Sequence, residues 1–317
     1  MAERALTDNR TMDLKQLEYF VRVAELGSFT GAARVLRVAQ PALSRQVRAL
    51  EVELRQTLLE RNGRGVTLTG AGQRLLGHAR GILQQVQRAR HDLEDQRSAA
   101  SGLLSIGLPP SVGRTVTAPL VEAFRGHFPK AQVSIVEGLS TYTLEWLLQG
   151  RIECAVVYNA TPSARIDLLP VLEEALYLVS ARGKAERGQK LVGKPATLTE
   201  LAAHELAIPS RPHAIRMRLE SALAEAGVKP RIGLEIESVP AILDLVQRHP
   251  LHAVLSLNAL RGVEREATYR ARPILQTKSH KPLSASLWVA TSAQRPRGPL
   301  LEQALPMFCA LLANRLA

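Results

Sequence analysis

Between Leu14 and Leu68 the apolar residues keep helical spacing through three short stretches and then give way to a strand–turn–strand pattern, an order few small folds accept. Leu14, Leu17, Phe20, Val21 and Ala24 share one stripe, so a first helix is expected up to Gly27. Ser28-Phe29-Thr30 supplies capping hydroxyls for a short helix carrying Ala32, Ala33, Val35 and Leu36. After a tight connection, Gln40-Pro41-Ala42-Leu43-Ser44 opens a third helix. Proline suits a first helical turn because the N–H it lacks has no partner there. The spacing turns Leu43, Val47, Leu50 and Leu54 inward and leaves Ser44, Arg45, Arg48 and Glu51 outward. Small Ala32 and Ala33 let the second and third helices approach. Two short helices and a tight bend before an arginine-bearing helix predict a helix-turn-helix, whose second helix enters a DNA major groove.

Apolar residues then flank Asn62-Gly63, a hairpin signal, so Leu58–Leu68 is expected to form a wing with Arg61 and Arg64 at its tip. Those two cations would reach a phosphate backbone or a minor groove. Thr69 is placed to cap a long helix in which Leu75, Leu76, Ala79, Ile82, Leu83, Val86, Ala89 and Leu93 form a stripe. Such a stripe either packs on its own domain or pairs with a copy of itself, and pairing is the expectation here.

Charge agrees with position. The chain carries 41 Lys and Arg against 29 Asp and Glu, a formal charge of +12. From Met12 to Arg90 there are 13 basic and 6 acidic residues, and from Arg34 to Arg90 the count is 11 against 3. A solvated helical face explains such an excess equally well by itself. Located on a helix-turn-helix it favours a polyanion, and arginine forks suit phosphates and guanine edges.

The remainder alternates strand and helix. Leu103–Leu108, Val133–Val136 and Cys154–Tyr158 read as strands, with helical patterns around Val116–Phe124 and Tyr142–Leu148. A second set runs from Leu206–Ile208 through a helix near Met217–Ala226, a strand at Ile232–Ile236, a helix at Val239–Gln247 and a strand at His252–Leu255. A strand over Ser286–Ala290 and a helix over Leu300–Leu312 return to the first lobe. This is an α/β pattern with parallel strands, in which ligands sit in the crevice at the carboxyl ends of strands. Ser111, Gly138 and Ser140 follow two first-lobe strands, and Ser210 and Arg211 follow a second-lobe strand. Helix N-termini there favour an anion or carboxylate. Helix capping accounts for Ser111 and Ser140 equally well, and Arg211 could be a surface charge.

The run Leu17-Glu18-Tyr19-Phe20, Gly27-Ser28-Phe29-Thr30-Gly31-Ala32-Ala33, Gln40-Pro41-Ala42-Leu43-Ser44-Arg45-Gln46-Val47-Arg48-Ala49-Leu50-Glu51 and Leu68-Thr69-Gly70-Ala71-Gly72 resembles the DNA-binding domain of LysR-type transcriptional regulators. Gly107-Leu108-Pro109-Pro110-Ser111, Glu137-Gly138-Leu139-Ser140 and Leu144–Arg151 are similar to the nitrogen-assimilation-control branch. The chain departs from the family's pattern at Arg55 (usually Gly), at Leu59 (usually Phe) and in Val246–Pro250, a turn that commonly holds glycine. The residues before Met12 are also unusual, and Met12 is an alternative start.

The resemblance implies a winged helix-turn-helix over 12–70, a linker and dimerisation helix over 71–98, and a two-lobed periplasmic-binding-protein-like α/β effector domain over 99–317. Lobe I would take about 99–163 and 267–317, and lobe II about 164–266. Gln40, Pro41, Ser44, Arg45 and Arg48 would meet the major groove, with bases read by Gln40, Ser44 and Arg45. Ser28, Thr30, Arg61, Arg64 and Thr67 would hold phosphates or the minor groove. The expected partners are double-stranded promoter DNA, a small-molecule effector, further copies of the chain as dimer and tetramer, and RNA polymerase.

Other classes fit less well. The sequence has no glycine-rich phosphate loop, helical His-x-x-x-His pair or paired-cysteine motif, so no catalytic residue, metal or cofactor is expected. A solute-binding protein would account for the lobes but not the basic front end, and would need an export signal. A thiol-based redox sensor would have to use Cys154 and Cys309, both in apolar patterns. Absence of a membrane-length apolar run or secretory core points to the cytoplasm and away from the membrane.

Overall fold

The computed structural model describes residues 12–63, 65–94, 101–183, 190–261, 268–277 and 279–316. They form two compact units, the first built mainly on residues 12–94 and the second on residues from 101 onward.

The first unit contains α1 (Leu14–Leu26), α2 (Phe29–Leu36), α3 (Gln40–Leu54), β1 (Leu59–Asn62), β2 (Gly65–Leu68) and α4 (Gly70–Glu94). Asp13 and Gln16 form a reciprocal capping box at the start of α1, and Gly27 closes it in the left-handed conformation at φ 58°. Ser28 caps α2 by accepting from the Gly31 amide at 3.1 Å. Leu17, Phe20, Leu43, Val47 and Leu50 are buried together as the spacing anticipated, joined by Val23 and Leu58, whereas Leu14 and Val35 of the expected stripes are exposed. The wing docks through main chain: Val66 N–H donates to Gly27 O at 2.9 Å. Gly65 stands at φ 138°, and a Cβ there would lie 2.7 Å from that same oxygen, so a larger residue would push the wing off.

Two readings are refined. Glu51 does not face outward: it is half-buried and its Oε1 accepts from the Leu58 and Leu59 amides at 2.9 and 3.1 Å. Arg55 takes the left-handed conformation at φ 51° that ends α3, with its N–H bonded to Glu51 O and Val52 O. The helix therefore ends without the family's customary glycine. In α4, Leu75, Leu76, Ala79 and Leu83 pack on the core of their own unit, whereas Ile82 remains 38% exposed.

The second unit contains β3 (Gly102–Leu108), α5 (Pro110–His127), β4 (Ala131–Glu137), α6 (Ser140–Leu148), β5 (Cys154–Tyr158), β6 (Ile166–Ala181), β7 (Ala196–Thr197), α7 (Leu198–Ala202), β8 (Glu205–Ile208), α8 (Ala214–Glu225), β9 (Arg231–Glu235), α9 (Val239–Arg248), β10 (Ala253–Ser256), β11 (Tyr269–Leu275), β12 (Ser284–Ser292) and α10 (Pro299–Leu316). Strands β3, β4 and β5 run parallel, and β12 joins them antiparallel.

Strand β6, which the spacing does not reveal, spans both lobes: residues 166–175 pair with β12, and residues 176–181 pair with β10 and β11. A register shift sits opposite Pro170, where a proline interrupts the ladder. Strand β11 lies in the range expected for lobe I, yet it pairs with the second-lobe part of β6. Strands β8 and β9 are parallel, and a bridge from Leu206 to His252 links β8 to the start of β10. None of residues 246–250 has a positive φ, and His249 ends α9 in an extended conformation, so that turn has no need of glycine.

Candidate nucleic-acid interface and inter-lobe site

On α3, Gln40, Ser44 and Arg48 recur every four residues, with Pro41 and Arg45 beside them, so all five share one side of the helix. Pro41, Arg45 and Arg48 are exposed, and Gln40 and Ser44 are half-exposed. Among the described residues neither Arg45 nor Arg48 has an ion-pair partner, which leaves both forks available. Thr30 and Thr67 are exposed. Ser28 uses its oxygen as the α2 cap yet keeps its O–H as a donor. Arg64 lies outside the described residues. Arg61 turns back from the wing: its guanidinium lies over the Phe29 ring, 4.4 Å from the centroid, and Nη2 donates to Ser44 Oγ at 2.8 Å.

In the second unit, Ser111, Gly138 and Ser140 gather at the carboxyl ends of the parallel strands, as strand order requires. Gly138 N–H donates to Leu108 O at 3.0 Å, and a Cβ there would meet the Trp146 ring at 2.8 Å. Ser140 Oγ accepts from the Tyr158 amide at 3.0 Å, tying α6 to the end of β5. Ser111 begins the first turn of α5, with its hydroxyl beside the Tyr158 phenol. Ser210 starts the turn before α8, its carbonyl accepting from His213 N–H at 3.1 Å. Arg211 is 67% exposed and paired with Glu220 at 2.8 Å, so its charge is partly answered within the second lobe.

Several buried polar groups here escape the sequence pattern. Tyr158 O–H donates to Glu174 Oε2 at 2.9 Å, and Asn258 Nδ2 donates to the other Glu174 oxygen and to Leu316 O. Burial, then the Glu174 charge, holds the Tyr158 phenol well above its ordinary pKa, so it stays protonated as a donor. Arg216 is buried and contacts Glu220, Glu235 and Pro209 O, joining α8 to the ends of β8 and β9. Their signal is visible only after folding: a lone Glu or Arg inside an apolar pattern reads as a surface residue until its partners are known. Among the thiols, Cys154 is buried in β5, and burial raises the Cys309 pKa in α10.

Comparison with known proteins agrees with this geometry. The model for the bacterial regulatory helix-turn-helix protein, lysR family, matches residues 14–73, and the LysR substrate binding domain matches residues 97–309. The chain is 36% identical over 253 residues to the nitrogen assimilation regulatory protein nac of Escherichia coli, covering 80% of this chain and 81% of that one. The nac protein of Klebsiella aerogenes is 37% identical over the same shares. Among solved structures, full-length CbnR complexed with its target DNA superposes with a TM-score of 0.68 at 26% identity, covering 96% of this chain and all (100%) of that one. A full-length OxyR variant from Pseudomonas aeruginosa has a TM-score of 0.68 at 20% identity, covering 95% of each chain, and shares the fold. Among the described residues no helix is long and apolar enough to cross a membrane. A helix-turn-helix with its wing, followed by a two-lobed effector-binding domain and close in sequence to the nitrogen-assimilation regulators, places the chain: it belongs to the LysR family of transcriptional regulators.

Proposed function

We propose that this regulator acts in the cytoplasm, binds promoter DNA as an oligomer and responds to a small anionic effector. Helix α3 enters the major groove, where Gln40, Ser44 and Arg45 read base edges and Pro41 and Arg48 lie alongside. Ser28, Thr30, Arg64 and Thr67 hold phosphates or the minor groove on either side. The observation that carries this reading is the outward face of α3, with Arg45 and Arg48 unpaired among the described residues on a helix whose opposite face is core. The CbnR relative solved with its target DNA supports it.

Protomers pair through the outward side of α4 and dimers assemble further, so that two half-sites are bound together. The effector sits between the lobes near Ser111, Gly138, Ser140, Ser210 and Arg211, its negative charge facing the first turns of α5 and α8. It can act only by binding one arrangement of subunits more tightly than another, and RNA polymerase then senses the changed DNA complex.

Two measurements test this. Arg45→Ala should remove discrimination between a duplex selected by the wild-type chain from a randomised pool and a scrambled duplex. Equal weakening on both would count against base reading. A panel of small carboxylic acids and their methyl esters, added to the purified protein, should raise its melting temperature with an acid and not with the matching ester. Stabilisation by neutral compounds alone would remove the anionic assignment.

A further inference from the structure

We propose that Arg61 is a positioning residue for base recognition, orienting the Ser44 hydroxyl on α3 rather than binding the DNA backbone itself. The inference rests on α3 being the groove-reading helix. Arg61 springs from β1, stacks on Phe29 at the start of α2, and donates through Nη2 to Ser44 Oγ at 2.8 Å. It thus joins the three elements that surround the DNA-facing surface. Phe29 is itself buried in the core of its unit, so the platform under the guanidinium is rigid.

The chemistry of the pair is directional. A serine hydroxyl has one hydrogen to donate and two lone pairs to accept with, whereas a guanidinium can only donate. The Arg61 bond therefore occupies a Ser44 lone pair and turns the hydroxyl hydrogen away from the wing. A free serine in a helix turns that hydrogen back onto the carbonyl four residues earlier. Held by Arg61, Ser44 offers a donor on the outward face of α3, the polarity that suits a purine N7, guanine O6 or thymine O4 and disfavours the amino group of adenine or cytosine. Lysine is a poorer substitute: an ammonium meets a ring as a point charge, with no planar face to stack on Phe29 and no fork to fix its direction.

The test uses the full chain and a duplex selected by the wild-type protein from a randomised pool, with its single-base-pair variants and a scrambled control, each titrated over a salt series. Arg61→Gln and Arg61→Lys should each lower discrimination at the base pair that Ser44→Ala affects by about tenfold, leaving the salt slope unchanged. Adding Arg61→Gln to Ser44→Ala should change discrimination little further, the non-additivity expected of two residues acting as one. Phe29→Leu should shift the same base pair. Equal loss on every duplex with a salt slope reduced by about one is the signature of a phosphate contact and would overturn the proposal, as would additive effects in the double variant. If Ser44→Ala and Arg45→Ala both left discrimination intact, the groove-reading role of α3 would fail instead, a separate outcome. Arg61→Lys keeps the charge, and melting temperatures identify any variant that loses binding by unfolding.

Discussion

At the level of single residues, Arg55 separates what the family's composition suggests from what the backbone does. The end of α3 requires a left-handed residue, and Arg55 supplies it at φ 51° with its Cβ crowding the carbonyl. Replacing it with glycine removes that strain, less the entropy glycine adds to the unfolded chain, so Arg55→Gly should stabilise the N-terminal unit by about 0.5–1 kcal/mol. Thermal unfolding of the full chain, followed in the transition of this unit, should show the rise, and a lower midpoint would mean the arginine side chain contributes more than its backbone costs. Glu51 makes the opposite case. Helical spacing put it outward, and nothing local says that a carboxylate about three turns into α3, on the same helix as Arg45 and Arg48, will fold under to meet two amides. Residues whose role comes from the periodic core, such as Phe20, Leu43 and Leu50, were legible. Residues whose contacts come from a distant partner, such as Glu51, Glu174 and Arg216, were not.

Elements follow the same division. The wing was readable from Asn62-Gly63 between apolar flanks, because a tight turn has its own local chemistry. Strand β6 was hidden by Pro170 and by Glu173-Glu174, both poor strand residues in isolation. It tolerates them because Pro170 falls beside a break in register and Glu174 is met by Tyr158 and Asn258. Beside the Arg61–Ser44 bond, the Glu51 carboxylate ties the start of the wing to α3, and its removal leaves the amides of buried Leu58 and Leu59 without that acceptor. Glu51→Ala should therefore cost about 2–3 kcal/mol, while Glu51→Gln, which keeps an oxygen, should cost clearly less. Equal losses in urea unfolding would show that charge rather than hydrogen bonding matters. For α4, Ile82 stands out of its own core, so Ile82→Asp should shift the solution mass toward the monomer without lowering the melting temperature of the monomer. An unchanged mass would place the pairing face elsewhere.

For the molecule as a whole, the buried titratable groups set a pH window for the effector-binding unit. His213 caps α8 by accepting from the Ile215 amide through Nδ1, a role open only to the neutral ring, and burial pushes its pKa down to about 4 from an ordinary 6.5. Burial likewise lowers His252 to about 4, helped by the stacked His204 ring at 3.9 Å and by Arg272. Both folded values lie below the unfolded one, so the unfolded chain takes up protons first and stability falls as pH drops from about 6.5 toward 4. Glu220 is raised by burial but lowered further by Arg216 and Arg211, and Glu200 is lowered chiefly by Arg272. Those carboxylates hold their stabilisation until pH falls below their ordinary 4.5, so between 6.5 and 4.5 the histidines dominate the slope. His213→Asn keeps an acceptor for the α8 cap and removes one titration, so the proton dependence of unfolding in that interval should fall from about two protons to about one. Denaturant unfolding at stepped pH, read in the transition of the effector-binding unit, measures it. A slope unchanged in His213→Asn would mean that the ring is already solvated in the folded chain, and His252 would then carry the acid sensitivity of the second lobe in that interval.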